Sequence, residues 1–352
     1  MKVGMIGFAR SGKTTVFNAI TGAAAEVGAY GSRDANIAVI KVPDPRVDKL
    51  AGIYKPKKKT FAEFEFVDIA PAEGAEPDKT LDNAALNLLK NADALVHVVR
   101  AFDDENVVHP LNSVNPARDV KALEEELQIT DFIIIEKRIE RLEKEHRKNQ
   151  EYELLTRCKE HLEKGNPLRT LDINAQEETL LRSFTFLSQK PMMLLGNYGE
   201  DAIGKDDPAH MREAAAKHEL QLIELCGKLE MEVSQLPTEE QLAFRDELGL
   251  GEESRMRFIQ FAYDMLGLIS FLTAGEPEVR AWTIRKGTHA VDAAGVIHSD
   301  IKRGFIRAET VAYDDFIEAG TMAKAKEKGK VRLEGKDYIV KDGDMLLFRF
   351  NV

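Results

Sequence analysis

The chain contains little cysteine and no long apolar run. Only Cys158 and Cys226 occur among 352 residues, which excludes a disulfide framework and a zinc site of clustered cysteines and favours a reducing compartment. No apolar stretch approaches the roughly 18 residues of a membrane-spanning helix, and the first eight residues carry neither a basic segment nor a cleavage site. We therefore expect a soluble, cytoplasmic protein with no membrane association.

Net positive charge is also absent. The 49 Lys and Arg residues against 60 Asp and Glu residues give a net charge of −11, which excludes a protein that coats nucleic acid with its whole surface but allows a local basic patch. With 24 Gly, 12 Pro and 43% hydrophobic residues, the composition is neither collagen-like nor disordered. The length exceeds one compact core and predicts two or three domains.

Short apolar runs alternate with helical patterns over much of the chain. The predicted strands are Lys2–Gly7, Ile37–Val42, Phe64–Val67, Ala94–Val99 and Met192–Leu195. This alternation predicts an α/β fold, a mostly parallel sheet with helices on both faces.

The middle and the end of the chain have a different texture. Residues 118–164 lack glycine and predict one long amphipathic helix. The turn signal Gly165-Asn166-Pro167 then predicts an antiparallel helical hairpin with the stretch that follows. From about residue 276 the pattern predicts a small mixed α and β domain. We therefore expect three domains. Residues 1–117 and 191–275 together form the first, residues 118–190 form the second, and residues 276–352 form the third.

The strongest motif lies between the first strand and the first helix. Gly7-Phe8-Ala9-Arg10-Ser11-Gly12-Lys13-Thr14 matches G-x-x-x-x-G-K-[ST], the phosphate-binding P-loop. Its backbone N–H groups and the helix N-terminus attract phosphate oxygens. Lys13 would reach the β- and γ-phosphates and serve catalysis, and the Thr14 hydroxyl would hold Mg²⁺. The predicted binding residues here are Gly7, Arg10, Ser11, Gly12, Lys13, Thr14 and Thr15; the alternative is an unoccupied strand-to-helix turn.

Three residues after later strands complete such a site. Asp68 follows an apolar strand and is placed to organise the metal together with Thr14, although it can also serve as a strand-end cap. Asn197 and Glu200 follow another buried strand. Asn197 can brace the phosphate loop and Glu200 can accept from a purine edge, but N-x-x-E is a weak pattern by itself.

At this point the sequence resembles the YchF or Obg-like ATPases over nearly its whole length. The matching segments are residues 42–50, 66–70, 94–100, 136–142, 197–200, 226–230, 280–287 and 348–352. The resemblance implies a P-loop nucleotide-binding domain, an inserted helical hairpin and a C-terminal TGS domain of β-grasp type. It also implies association with the ribosome or ribosomal RNA.

The resemblance further implies a preference for ATP over GTP, because N-x-x-E stands where guanine-specific relatives carry N-K-x-D. An aspartate there accepts from guanine N1 and N2 hydrogens, bonds that adenine cannot reproduce. By the same resemblance, Cys226 and Gly227 would line the base side of the pocket, although Cys226 can equally be a small buried residue.

Three departures from the family bear on hydrolysis. Pro71 replaces the glycine whose N–H would meet the γ-phosphate. The acidic segment 72–78 replaces a Gly-rich stretch, and Ser32 is loosely aligned with the switch threonine. The sequence therefore supports nucleotide binding more strongly than it supports fast hydrolysis. The alternatives are a slow ATPase switch, a nucleotide-binding regulatory module with negligible hydrolysis, and a small-molecule kinase.

Arg10 replaces the family's loop asparagine. A guanidinium at this position can stabilise developing charge on the phosphate as an arginine finger in cis. It can equally point into solvent or pair with Asp34 or Glu73.

A dense basic run lies near the C-terminus. Its residues are Lys324, Lys326, Lys328, Lys330 and Arg332. Each can contact an RNA phosphate, which would give salt-sensitive attraction; the alternative is a solvated helix face. His97, Trp282 and the pair Met192-Met193 are expected in the core. The sequence predicts no oligomeric state.

Overall fold

The computed structural model describes residues 1–22, 35–69, 80–202, 205–206, 210–248, 250 and 254–351. The chain forms two compact units. Unit 1 comprises Met1–Val39 and Glu65–Phe258, and unit 2 comprises Ile40–Phe64 and Ile259–Val352. Within the described ranges, none of the helices has both the length and the apolarity that crossing a bilayer requires.

The described part of the chain contains both strands and helices. The strands are β1 (Lys2–Ile6), β2 (Asn36–Val42), β3 (Lys58–Thr60), β4 (Ala62–Asp68), β5 (Ala94–Ala101), β6 (Met192–Tyr198), β7 (Gln221–Leu225), β8 (Leu268–Ala274), β9 (Glu278–Arg285), β10 (Phe305–Ala312), β11 (Arg332–Glu334) and β12 (Asp344–Phe350). The helices are α1 (Lys13–Thr21), α2 (Pro45–Tyr54), α3 (Asn83–Lys90), α4 (Pro116–Lys144), α5 (Gln150–Glu163), α6 (Ala175–Leu181), α7 (Met211–Lys217), α8 (Gly227–Ser234), α9 (Thr238–Glu247), α10 (Ser254–Met265), α11 (Ala290–Ile297), α12 (Ser299–Arg303), α13 (Tyr313–Ala319) and α14 (Met322–Glu327).

The first sheet, most of whose residues belong to unit 1, has the strand order β2-β4-β1-β5-β6-β7. β1 pairs in parallel with β4 and β5, and parallel pairing continues from β5 to β6 and from β6 to β7. β5 and β6 are buried almost throughout, as expected where helices cover both faces of a sheet. The predicted mostly parallel α/β sheet is therefore confirmed. Its arrangement brings the carboxyl ends of β1, β5 and β6 to one edge.

The helical hairpin has its turn at a different place from the one predicted. α4 ends at Lys144 and α5 begins at Gln150, so one continuous helix to residue 164 is wrong. His146 adopts φ +54°, and the Asn149 side chain accepts from Tyr152 N at 3.1 Å and so starts α5. A left-handed histidine and an asparagine cap therefore make this turn without glycine.

The hairpin packs on its own apolar cluster. Ile135 and Leu142 of α4 meet Leu155 and Cys158 of α5 in this cluster. Across the same pair of helices, Arg138 contacts both carboxylate oxygens of Glu151 at 2.7 and 2.9 Å. Between Gly165 and β6 the chain forms two 3-10 turns and the short helix α6, so the antiparallel partner of α4 is α5.

Unit 2 is built around a second, mixed sheet. Its order is β11-β10-β12-β8-β9-β3; β8 pairs antiparallel with β9, β10 pairs antiparallel with β12, and β3 pairs in parallel with β9. Phe271, Ile284 and Leu346 pack with small residues of α11 in its core. β8 lies before residue 276, and residues 40–64 contribute α2 and β3. The division at 117/118, 190/191 and 275/276 stays a prediction.

Candidate nucleotide-binding site

The phosphate loop joins β1 to α1, and two of its glycines have a backbone conformation and close neighbours that strongly disfavour any side chain. Gly7 has φ +147°, and a Cβ there would lie 2.3 Å from Val98 O. Gly12 has φ +85°, and a Cβ there would lie 2.2 Å from Asn197 Nδ2. At both positions a side chain would strain the backbone and clash with a neighbouring atom. The loop backbone is thus packed tightly against β5 and against the end of β6.

Lys13 is buried inside this loop at the start of α1. Its Nζ donates to Gly7 O at 2.7 Å and to Phe8 O at 2.8 Å. Burial lowers the pKa of Lys13 to about 8, and the negative charge of Asp68 acts in the opposite direction. The ammonium group is therefore held within the loop by main-chain oxygens, where it is available to an anion that enters the loop.

Thr14 and Asp68 come together at the edge of the sheet. Thr14 Oγ1 donates to Asp68 Oδ2 at 2.9 Å, and Asn36 Nδ2 lies 3.3 Å from the same oxygen. The other oxygen, Asp68 Oδ1, is buried and has no hydrogen-bond partner in the part of the chain that the structure describes. A buried carboxylate oxygen beside a hydroxyl is the type of ligand that Mg²⁺ takes. The two residues fit a cation bound together with phosphate.

Asn197 connects the phosphate loop to the beginning of α8. Its Nδ2 donates to Ser11 O at 3.0 Å, and its Oδ1 accepts from Gly227 N at 3.0 Å. The side chain is buried, so both ends of the amide are satisfied by main-chain groups. Ser11, Asn197 and Gly227, which the sequence places in one site, are thus joined in space.

Glu200 and Cys226 lie after β6 and β7, at the same edge of the sheet. Glu200 Oε1 accepts from Lys228 Nζ at 2.7 Å. Cys226 is buried, and burial raises the pKa of its thiol. Cys226 also occupies the position before α8 without a side-chain capping bond. The carboxylate is therefore accessible at this edge, whereas the cysteine is covered.

Arg10 points away from the interior of the loop. It is exposed, adopts φ +63°, and donates from Nη1 to Val108 O at 2.9 Å. The alternative partners Asp34 and Glu73 lie outside the described residues, as do Ser32, Pro71 and the segment 72–78. Thr15 is the half-buried third residue of α1. The catalytic role of Arg10 stays a prediction.

The sequence interpretation missed residues that follow β5. A Cβ at Gly12 would lie 3.9 Å from Phe102 Cε1, and a Cβ at Gly199 would lie 3.3 Å from Phe102 Cβ. Arg100 fixes this segment by donating to Phe102 O at 3.0 Å and to Val107 O at 2.7 Å. The sequence position of Phe102 directly after a buried strand could have identified it, because ligands of parallel α/β sheets bind at the carboxyl ends of strands. Asn36 carried no comparable signal.

The C-terminal basic run is largely neutralised within unit 2. Lys326, Lys328 and Lys330 pair with Glu309, Glu318 and Asp315 at 2.9, 3.3 and 2.8 Å. Arg332 donates to the Tyr338 hydroxyl at 3.0 Å. Among the described residues, Lys324 makes no ion pair. The run therefore presents much less free positive charge than its sequence indicates.

A phosphate loop between the first strand and helix of a parallel sheet, with Thr14 and Asp68 beside it, defines the class of P-loop NTPases. Two family models match the chain. "50S ribosome-binding GTPase" (MMR_HSR1) matches residues 2–138, and "Protein of unknown function (DUF933)" (YchF-GTPase_C) matches residues 268–351.

Full-length relatives narrow this class to a family. A Bacillus subtilis (strain 168) protein named "Ribosome-binding ATPase YchF" is 42% identical over 364 residues, with 100% of both chains covered. The protein of that name from Escherichia coli O157:H7 is 41% identical over 361 residues, covering 100% of this chain and 99% of the relative. The solved structure of the Schizosaccharomyces pombe YchF GTPase matches with a TM-score of 0.88 and 30% identity, covering 99% and 97% of the two chains. The chain belongs to the YchF family.

Proposed function

We propose that the chain binds ATP with Mg²⁺, hydrolyses it slowly, and acts as a nucleotide-dependent switch on the ribosome in the cytoplasm. The observation that carries this proposal is the geometry of the phosphate loop, in which Lys13 is buried, Thr14 contacts Asp68, and Asn197 braces Ser11. Relatives with 41% and 42% identity over their full lengths are named ribosome-binding ATPases, which supports the ribosome as the partner.

Each site residue has a defined part in nucleotide binding. The loop N–H groups and Lys13 bind the phosphates, while Gly7 and Gly12 permit the close approach. Thr14 and Asp68 would hold Mg²⁺, which neutralises charge on the β- and γ-phosphates when bound. Asn197 fixes the loop against α8 and thereby keeps the N–H groups in position.

The base end of the site is formed by the residues after β6 and β7. Glu200, Cys226 and Gly227 are proposed to border the purine, with ATP preferred to GTP. Calorimetric titration of the protein with ATP, GTP and their diphosphates in Mg²⁺ tests this preference. GTP binding about tenfold tighter than ATP binding would overturn it.

The alternative function is nucleotide binding with negligible turnover. The contact of Arg10 with Val108 O favours it, because this guanidinium is engaged outside the phosphate cradle. Single-turnover hydrolysis separates the two functions: the ATPase proposal expects faster phosphate release from the wild-type protein than from Lys13→Ala. Equal rates would establish the binding module.

Ribosome association is proposed to involve unit 2, which contains the predicted TGS domain. Co-sedimentation with ribosomes in ATP, in ADP and without nucleotide tests the switch, since a switch requires different binding in these states. A salt series tests the RNA contact, because phosphate contacts weaken as the salt concentration rises. Ribosome binding that is equal in all three nucleotide states and at all salt concentrations would contradict the proposal.

A further inference from the structure

An ion pair stands at the base end of the proposed nucleotide site. Glu200 follows β6, and Lys228 is the second residue of α8, directly after β7. Because β6 and β7 pair in parallel, both residues lie at the edge of the sheet that carries the phosphate loop. Lys228 Nζ lies 2.7 Å from Glu200 Oε1.

Neighbouring contacts connect this pair to the phosphate loop. Gly227, next to Lys228, donates to Asn197, and Asn197 donates to Ser11 of the loop, both at 3.0 Å. Gly199, next to Glu200, lies against Phe102, which also approaches Gly12. The pair therefore lies beside the segment that is proposed to border the base of a loop-bound nucleotide.

The ion pair changes what Glu200 offers to a base. Its Oε1 is engaged by Lys228, and among the described residues no other group hydrogen-bonds to the Glu200 carboxylate. A free carboxylate offers two acceptor oxygens, which suit the N1–H and N2–H donors of guanine. The carboxylate and the ammonium together offer one acceptor and one donor. That combination suits adenine, whose N6 amino group donates and whose N1 accepts.

We propose that Lys228 is a specificity-determining residue of this site, which lowers the affinity for guanine nucleotides relative to adenine nucleotides by occupying one oxygen of Glu200. The proposal rests on the proposed function, because it concerns the base end of the same site. It assigns the discrimination to the ion pair and not to the length of the Glu200 side chain alone.

The size of the effect follows from exposure. The side chains of Lys228 and Glu200 are 66% and 52% exposed, and ion pairs at this exposure are weak. Breaking the pair is therefore expected to change the ratio of GTP to ATP affinity by about two- to fivefold. Exposure also means that substitution of Lys228 leaves the fold intact.

The test is the affinity of Lys228→Met for three magnesium nucleotides, measured by calorimetry. We expect the GTP-to-ATP affinity ratio to rise by about two- to fivefold over the wild-type protein. The ITP-to-ATP ratio rises less, because the hypoxanthine base of ITP lacks the N2 amino group. Adding Glu200→Gln to Lys228→Met removes the gain for GTP, because an amide oxygen and nitrogen replace the two acceptors.

A matched control is Lys121→Met, which breaks the exposed ion pair of Lys121 with Glu125 within α4. It should leave the GTP-to-ATP ratio unchanged. An unchanged or reduced ratio in Lys228→Met overturns the role of Lys228 while leaving ATP binding intact. A different failure is wild-type protein that binds ATP and GTP no better than Lys13→Ala, which overturns the proposed function and the role of Lys228 with it.

Discussion

The ammonium group of Lys13 donates a 2.7 Å hydrogen bond to the carbonyl oxygen of Gly7, six residues earlier in the same loop. Burial keeps the pKa of this lysine near 8, well below its usual value of 10.5. The loop thus holds a cation that loses its proton as the pH rises through about 8, unless an anion stabilises it.

This pKa predicts a pH dependence of nucleotide binding. A bound triphosphate favours the ammonium form of Lys13, so binding takes up a proton at pH values above 8. ATP affinity should therefore fall by about tenfold between pH 7 and pH 9. Calorimetry in two buffers of different ionisation enthalpy measures the proton uptake. Lys13→Arg, which stays charged, should lose this dependence, and a pH dependence that persists in it would contradict the assignment.

Removal of the Asp68 carboxylate should uncouple nucleotide binding from magnesium. In Asp68→Asn, the gain in ATP affinity on adding Mg²⁺ should shrink by about tenfold, whereas binding without metal should change little. Asp82→Asn is the matched control, because Asp82 caps α3 by accepting from Ala85 N at 2.7 Å and asparagine caps equally well. An equal magnesium effect in Asp68→Asn and the wild-type protein would exclude Asp68 from the metal site.

Truncation of Asn197 should cost both stability and affinity. Asn197→Ala leaves Ser11 O and Gly227 N without their buried partner, so the free energy of unfolding should fall by about 2 to 4 kcal/mol. ATP affinity should fall as well, since the loop loses its brace. Asn91→Ala removes an exposed amide that donates to Asn87 O and should cost under about 0.5 kcal/mol. Urea denaturation compares the two variants, and equal losses would refute the bracing role.

Burial of the His97 side chain should destabilise the folded protein in mild acid. It is fully buried in β5, and neither ring nitrogen has a partner among the described residues. Burial lowers its pKa from 6.5 to about 3, and the positive charges of Lys13 and His218 add to this effect. Between pH 6.5 and pH 3 the unfolded chain therefore binds a proton at His97 that the folded chain does not bind. The contribution of the neutral His97 to the free energy of unfolding is fully present above pH 6.5 and is lost as the pH falls towards 3.

The cost attributable to His97 at pH 5 is about 2 kcal/mol. Urea denaturation at pH 7 and pH 5 measures it by comparing wild-type protein with His97→Leu, in which this part of the acid sensitivity disappears. The difference between the two pH values is the test, so a change in absolute stability from repacking does not affect it. Identical acid sensitivity in the two proteins would show that His97 is protonated in the folded state.

The sequence by itself determined the local features of this protein. The predicted strands 94–99 and 192–195 lie within β5 and β6, because short apolar runs must be buried in a sheet covered on both faces. The spacing of Gly7, Gly12 and Lys13 likewise determined the phosphate loop, since its conformation depends on consecutive residues. The prediction from local patterns was wrong at the hairpin turn. The turn lies before α5, which Asn149 caps, and not at Gly165.

Only the tertiary structure decided which distant residues meet. Lys228 reaches Glu200 across 28 positions, because the strand order places β6 and β7 side by side at one edge of the sheet. The tertiary structure alone also shows that residues 40–64 belong to unit 2. It likewise shows that Glu309, Glu318 and Asp315 pair with the lysines of the basic run. Such contacts depend on how crossovers place segments in space, which no pattern of neighbouring residues encodes.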